Sequence, residues 1–335
     1  MEKKKKLGAG RVILRVLGIL LALILCAAAF FVLVPLAERA DRSPVEGSAD
    51  WMARLDGDLP LNAVTLPGTH DCATQYVQLA WFSKCQSLDV GGQLEAGCRY
   101  LDIRLGADGD KLMLMHGFTK CKTSAFGGAL YLDEVLRQCY AFLDAHPTET
   151  VIFAVKQEHG DESVASFQTL LDSYVQDSPS HWLPTDTIPT LDEARGKLVL
   201  MRRYEDEAGL GAAAGIPLLW PNQNGHEDVS LNAAVTDNGS YLLSVQDRYE
   251  YDAEDKWNAF LAGIAQNRAE DDVLALHFLS TKGTAAYGHP FGFAKDMNVR
   301  LGLVPSEALS GWIVVDYLSP ALAAHIYESN FLGDY

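Results

Sequence analysis

The chain has 335 residues, about half of them apolar, and a formal charge of −17 at neutral pH. That length and apolar content provide for one large domain or two small ones and exclude a disordered chain. The acidity excludes general nucleic-acid binding through phosphate neutralisation.

The charge is unevenly placed. Residues 1–15 hold six Lys/Arg (Lys3 to Lys6, Arg11 and Arg15) against one acid, Glu2. Behind them runs VLGILLALILCAAAFFVLVPLA, residues 16–37, without a charge. A helix of about 20 apolar residues spans the hydrocarbon core of a bilayer. A cleaved signal usually has an apolar region of only about 7–15 residues. Here Ala27-Ala28-Ala29 falls inside the run, and Leu25 before Cys26 does not suit a lipoprotein signal. The segment is therefore expected to be an uncleaved anchor, with a cleaved signal as the alternative. The basic flank puts residues 1–15 inside the cell. Both readings export residues 38–335, as a membrane-anchored extracellular domain or as a secreted one. Residues 38–50, ERADRSPVEGSAD, read as a polar linker of about 40 Å at most, at roughly 3.3 Å per extended residue. The domain proper is expected over residues 51–335.

Five cysteines lie beyond the apolar run: Cys72, Cys85, Cys98, Cys121 and Cys139. No CxxC pair occurs among them, which speaks against a thiolate zinc site. Buried free thiols are the first expectation, with one disulfide, Cys85–Cys121, as the alternative.

Short apolar runs then recur. Candidate strands are AVTL (63–66), RYLDIRL (99–105), LMLMH (112–116), TVIFAVK (150–156), KLVLMRR (197–203), YLLSVQ (241–246), VLALHF (273–278) and GWIVVDY (311–317). Most are continuously apolar, which suits strands buried on both faces. Between them, residues 132–146 carry apolar side chains at helical spacing, and PTLDEARG (189–196) reads as a short capped helix. Eight such strands with intervening helices predict an α/β fold, a (β/α) barrel in one domain, with a doubly wound sheet as the alternative.

In such a barrel, chemistry collects at the C-terminal ends of the strands. Seven candidate strands end in ionisable groups: His70-Asp71, Asp102 with Arg104, His116, Lys156, Arg203, Asp247 with Tyr249, and Asp316. Burying unpaired charge costs several kcal/mol, so a shared polar cavity is the cheaper account. Two histidines divide general base and general acid work near neutral pH. Carboxylates orient each imidazole and favour its charged form. A guanidinium neutralises phosphate in a bidentate fork. Lys156, Arg203 and Asp247 suit hydrogen bonds to a polyhydroxylated ring, and Tyr249 suits stacking on its apolar face. The set suggests cleavage of a phosphodiester to a sugar-like alcohol.

The stretches LPGTHDCATQYV, GCRYLDIRLG, LMHG, HPTETVIFAVKQEH, EARGKLVLMRRY, SVQDRYEY and GWIVVDY resemble, in order and spacing, the motifs of bacterial phosphatidylinositol-specific phospholipases C of the X-domain type. The resemblance runs from about residue 51 to residue 320. It implies a distorted, incomplete TIM barrel and a two-step reaction. The inositol 2-hydroxyl attacks phosphorus and expels diacylglycerol, and water then opens the cyclic phosphate. It also implies His70 as general base supported by Asp316, and His116 as general acid paired with Asp71. Arg104 would lie on the phosphate oxygens, with Asp102 beside it. Lys156, Arg203, Asp247 and Tyr249 would bind inositol; Arg203 is preferred over Arg202 because it directly precedes the Tyr of RRY. Calcium-dependent relatives carry an acid where Arg104 stands, so no metal and no cofactor are expected. Asp-Ile-Arg also argues against a glycerophosphodiester phosphodiesterase, which needs a Glu-x-Asp pair for its metal.

The expected partner is phosphatidylinositol, or an inositol-containing glycolipid, in a membrane, acted on by a monomer. A catalytically weak headgroup-binding barrel is a further alternative. Aromatic rim residues suit headgroup depth. Trp81 and Phe82 (segment 78–86), Trp220 with Leu218 and Leu219 (216–225), and Tyr287, Phe291 and Phe293 (286–293) are the candidates, Trp81 foremost.

Overall fold

The computed structural model describes residues 9–223, 234–266, 273–285 and 288–332. Lys3 to Lys6 and Tyr287 lie outside the described residues. The strands are β1 (Leu66–Thr69), β2 (Tyr100–Asp108), β3 (Lys111–His116), β4 (Thr119–Lys120), β5 (Val151–Gln157), β6 (Trp182–Leu183), β7 (Leu198–Arg202), β8 (Ile216–Pro217), β9 (Ala234–Asp237), β10 (Leu242–Gln246), β11 (Val273–Phe278) and β12 (Trp312–Val315). The helices are α1 (Ala9–Ala37), α2 (Ala80–Ser83), α3 (Val90–Glu95), α4 (Leu132–Ala145), α5 (Val164–Asp177), α6 (Leu191–Ala194), α7 (Ala253–Gln266), α8 (Pro290–Leu301) and α9 (Pro320–Tyr327).

The sheet order is β6-β7-β5-β2-β1-β12-β11-β10-β9, parallel except for β9 on β10, with β8 added to β7. Among the described residues no ladder joins β8 to β9. The seam is closed by side chains instead. Asn238 accepts from Leu219 N at 2.8 Å and donates to Leu219 O at 3.1 Å, and the Tyr241 hydroxyl donates to Pro217 O at 2.5 Å. This is an incomplete (β/α) barrel.

Two expected barrel strands come out differently. Leu61–Ala63 form a short 3-10 turn, and β1 begins at Leu66, so the Pro67-Gly68 pair lies inside the strand. Gly68 is required there: a Cβ would meet Tyr100 and Val314 side chains at 3.0 Å. β3 is not a barrel strand. β2 overshoots the barrel, turns at Gly109 (φ 68°) and returns as β3, antiparallel, with Leu105 opposite Leu114. An Asp-Gly pair between two apolar runs is the sequence signal for that hairpin.

The strands alternate between two cores. Leu101, Ile103, Leu105, Phe153, Val155, Ile313 and Val315 face the helices. Tyr100, Ile152, Ala154, Val199, Met201, Leu243, Val245, Trp312 and Val314 fill the barrel interior. Below the barrel, Trp51 stacks on Tyr327 at 5.0 Å, and buried Arg99 pairs with Glu149 at 2.8 Å while donating to Ala49 O. All six cysteines are free thiols and Cys85 and Cys121 are buried, which sets aside the Cys85–Cys121 disulfide.

The polar stretch 38–50 is not a loose spacer. Ala40 N donates to Ser87 Oγ at 3.0 Å, the Arg42 guanidinium to Ser87 O, and Ser48 Oγ to Glu95 O at 2.6 Å.

Two buried bases sit between α7, β10 and β11. Lys256 Nζ donates to Gln246 Oε1 at 2.8 Å, and burial pushes its pKa down to about 7. Among the described residues His277 has no hydrogen-bond partner on either ring nitrogen, and a Cβ on Gly263 would lie 2.8 Å from its Nδ1. Burial first, then Lys256, pushes His277 down to about 3 from 6.5. The unfolded chain therefore takes up a proton that the fold refuses. His277's contribution to stability is undiminished above about pH 6.5 and is lost as pH falls toward about 3. We expect the urea midpoint to fall over that range, and His277→Leu to flatten the fall. A variant whose pH profile matched the parent would rule this out.

Candidate active site

Continued past the strand ends, the inward alternation selects the polar residues. β2 points Tyr100, Asp102 and Arg104 inward; β5 points Ile152, Ala154 and Lys156; β7 and its continuation point Val199, Met201 and Arg203. The same rule brings Asp247 in after Val245 and Asp316 after Val314. Arg202, of opposite parity, donates to Tyr204 O at 2.7 Å and does not line the cavity.

The β1 end breaks the alternation. His70 N continues the ladder onto Val315 O at 3.1 Å. Asp71 then takes φ 44°, the left-handed region, which costs a non-glycine residue on the order of 1 kcal/mol. That kink lets two consecutive side chains face one site. It is held by Asp71 N donating to Asp102 Oδ2 at 3.2 Å and by Thr74 Oγ1 donating to Asp71 O at 2.7 Å. Tyr317 (φ 50°), just after Asp316, is kinked in the same way.

The result is one connected set. His70 Nδ1 lies 2.8 Å from Asp316 Oδ1, and its Nε2 lies 3.3 Å from Asp71 Oδ2. His116 Nδ1 lies 2.7 Å from the same Asp71 oxygen. The two rings are 6.4 Å apart, centre to centre. Arg104 stands among three carboxylates: Asp102 at 3.0 Å, Asp71 at 3.2 Å and Glu158 at 3.3 Å. Burial disfavours charge on His70, but Asp316 and Asp71 outweigh it and its pKa is raised. Burial likewise opposes ionisation of Asp71 and Asp102, yet Arg104 and the imidazoles hold both carboxyls below the usual range. Glu158, buried too, is pulled down to about 2 by Arg104 and Lys156.

These residues open into a cavity of ≈ 610 Å³, whose far wall carries Lys156, Arg203, Trp220, Asn222, Asp247 and Tyr249. The Arg203 guanidinium lies 3.8 Å over the Trp220 ring, and Trp220 Nε1 donates to Asp247 Oδ2 at 3.3 Å. Trp220, expected at the membrane surface, is thus a wall of the cavity. Leu218 is buried and Leu219 lines the wall. Phe291 packs on Tyr317 at 4.9 Å, and Phe293 fills the space above Gly283. Trp81, also expected on the membrane surface, stacks on His289 at 3.9 Å and meets Phe30 and Phe31 of α1 at 5.0 and 5.3 Å. Phe82 stacks on Phe31 and reaches the cavity wall.

Sequence reasoning missed Glu158, which bonds Lys156 Nζ at 2.5 Å and accepts from Gly117 N at 3.0 Å. It lies two residues after Lys156, so inward parity was the available signal. Among the described residues three donor sets could geometrically hold a metal ion: His70–Cys85–Asp316, Asp71–Cys85–His116 and His70–Asp71–Asp102. Every carboxylate in them is already engaged by an imidazole or by Arg104.

Residues 60–204 match the family model for the phosphatidylinositol-specific phospholipase C X domain. A 1-phosphatidylinositol phosphodiesterase of Staphylococcus aureus (strain Newman) is 27% identical over 292 residues, covering 80% of this chain and 88% of that protein. One from Listeria monocytogenes is 31% identical over 202 residues, 54% of this chain and 59% of that one. A solved structure of the S. aureus phosphatidylinositol-specific phospholipase C superposes with a TM-score of 0.70 at 24% identity, over 84% of this chain and 97% of that one, a likeness of fold. Residues 60–204 carry the phosphatidylinositol-specific phospholipase C X domain, and most of the chain is similar to bacterial 1-phosphatidylinositol phosphodiesterases.

Proposed function

We propose that this chain cleaves the phosphodiester of phosphatidylinositol, or of a related inositol phospholipid, to diacylglycerol and inositol 1,2-cyclic phosphate. The observation that carries the reading is a single carboxylate, Asp71, reaching both imidazoles and Arg104 at the mouth of a polar cavity. His70, its Nδ1–H given to Asp316, keeps an Nε2 lone pair for the proton of the inositol 2-hydroxyl. As that proton leaves, the 2-oxygen bonds to phosphorus and the bond to the glycerol oxygen breaks. His116, held through Nδ1 by Asp71, delivers the proton that the glycerol oxygen needs. Arg104 faces the charge growing on the non-bridging oxygens, and Asp102 and Glu158 fix its plane. Opening of the cyclic ester by water reverses the two histidine roles. Lys156, Arg203 and Asp247 hold the inositol hydroxyls, with Tyr249 against the ring.

The charge that a divalent ion would bring is already supplied by Arg104, so the reaction is metal-independent. We read α1 as the membrane anchor, with the domain outside the cell. Burial of Pro35 and Glu38 against the domain supports a retained helix over a cleaved signal. The test is phosphorus NMR on the full chain in detergent with phosphatidylinositol and EDTA. We expect a cyclic inositol phosphate signal. Its absence with folded protein, or its loss on chelation and return with Ca²⁺, would overturn the reading.

A further inference from the structure

The outer end of α1 is built into the rim of the cavity. α1 has 29 residues, about 43 Å of helix at 1.5 Å per residue, against a hydrocarbon core of about 30 Å. Most of it is exposed, but Pro35 near its end and Glu38, the residue after it, are buried. Lys84 Nζ donates to Pro35 O at 2.6 Å and to Glu38 O at 2.9 Å, a cation on the carbonyls that end the helix. The Glu38 carboxylate pairs with His289 Nε2 at 2.9 Å, and His289 Nδ1 bonds Trp81 O at 2.8 Å. Above this latch, Phe30 and Phe31 pack on Trp81 and Phe82, and Ser87 fastens Ala40 and Arg42 below it. The partners are the segment 81–87 and the start of α8. Phe82, Cys85, Gly288 and Pro290 from these same pieces line the cavity.

Beside α2 lies an apolar edge. Leu79 is 58% exposed and Phe118, two residues after His116, is 62% exposed. The segments that carry them are joined by Gln78 N donating to Lys120 O at 3.0 Å and by the bridge Val77–Cys121. Apolar side chains bare to water beside a membrane helix suit headgroup depth.

We infer that α1 is a docked post rather than a tether. It holds the mouth of the site, with Leu79 and Phe118, against the outer leaflet of the membrane it spans, and the substrate is an inositol lipid of that same membrane. This rests on the phosphodiesterase reading above. Sharing a membrane raises the local substrate concentration, and fixed orientation turns that into productive encounters.

The experiment reconstitutes the full chain in phosphatidylcholine vesicles. Phosphatidylinositol is placed either in those vesicles or in separate protein-free ones at equal bulk concentration. We expect hydrolysis in the shared membrane to be faster by about tenfold or more. The double variant Glu38→Gln/Lys84→Met, and a Gly-Ser insertion between Ala37 and Glu38, should remove most of that advantage. Turnover of a water-soluble short-chain phosphatidylinositol should be unchanged in both, which also reports folding. Equal rates on the two vesicle populations, or an advantage surviving both undocked variants, would overturn the inference. No turnover of the soluble substrate by the parent would instead overturn the phosphodiesterase reading.

Discussion

Replacing His70 or His116 by alanine will lower kcat/KM for phosphatidylinositol by about 10²–10⁴-fold, the usual contribution of a positioned acid or base. The fold should survive either change. Both rings stand at the cavity mouth, with side chains 14% and 24% exposed, and Asp71 keeps Arg104 as a partner when either imidazole is gone. The two variants should fail differently. Without the acid, a substrate whose leaving group needs no proton, such as an aryl ester of inositol phosphate, is spared most of the loss. Without the base it is not. The pH profile gives a further check. His70 must be neutral to accept a proton, and Asp316 with Asp71 raises its pKa. The acidic limb of kcat/KM should therefore lie above the 6.5 of a free imidazole, and Asp316→Asn should move it to lower pH while slowing the reaction. Near-normal turnover by His70→Ala or His116→Ala would end the two-histidine assignment.

Much of this site was legible because a buried parallel strand announces itself as an apolar run, and the polar residue that ends it has nowhere to go but the mouth. Asp102, Arg104, Lys156, Arg203, Asp247 and Asp316 all obey that logic. His116 reached the right place by a route the run did not reveal. β3 belongs to a hairpin, and the Gly109 turn folds it back toward Arg104. Glu158 was hidden because it lies one residue past β5, where local pattern ends and pairing with Arg104 and Lys156 decides. The packing of the aromatic segments was hidden for a related reason. Trp81 and Trp220 read as rim residues by composition, and each packs on a partner distant in sequence: α1 and His289 for one, Arg203 and Asp247 for the other. Docking of residues 38–42 depends likewise on Lys84 and Ser87, far along the chain, so a Ser, Pro and Gly composition could only suggest a linker.

Arg104→Met should cost both activity and stability, and the pairing explains why neither can be lost alone. Loss of a donor aimed at developing negative charge typically slows a reaction by about 10²–10³-fold. The same side chain is the chief counter-charge for Asp71 and Asp102, and it shares Glu158 with Lys156. Removing one member of a buried ion cluster leaves the others uncompensated, at about 3–5 kcal/mol. Glu158 gives the sign of the pH dependence. Its folded pKa of about 2 lies below the ordinary 4.5, so its stabilising contribution is present above about 4.5 and is lost as pH falls through about 2. In Arg104→Met the three carboxylates should instead prefer to be protonated. The variant's deficit in urea midpoint should then be largest at neutral pH and should shrink on acidification, opposite to the parent. Arg104→Lys separates the two roles. A point charge restores part of the stability, but without the bidentate fork most of the rate stays lost. Arg104→Asp puts a carboxylate where calcium-dependent relatives have one. It should be inactive in EDTA, and any activity it regains should require Ca²⁺. An Arg104→Met protein as stable and as active as its parent would show that the guanidinium neither holds the carboxylates nor faces the phosphate.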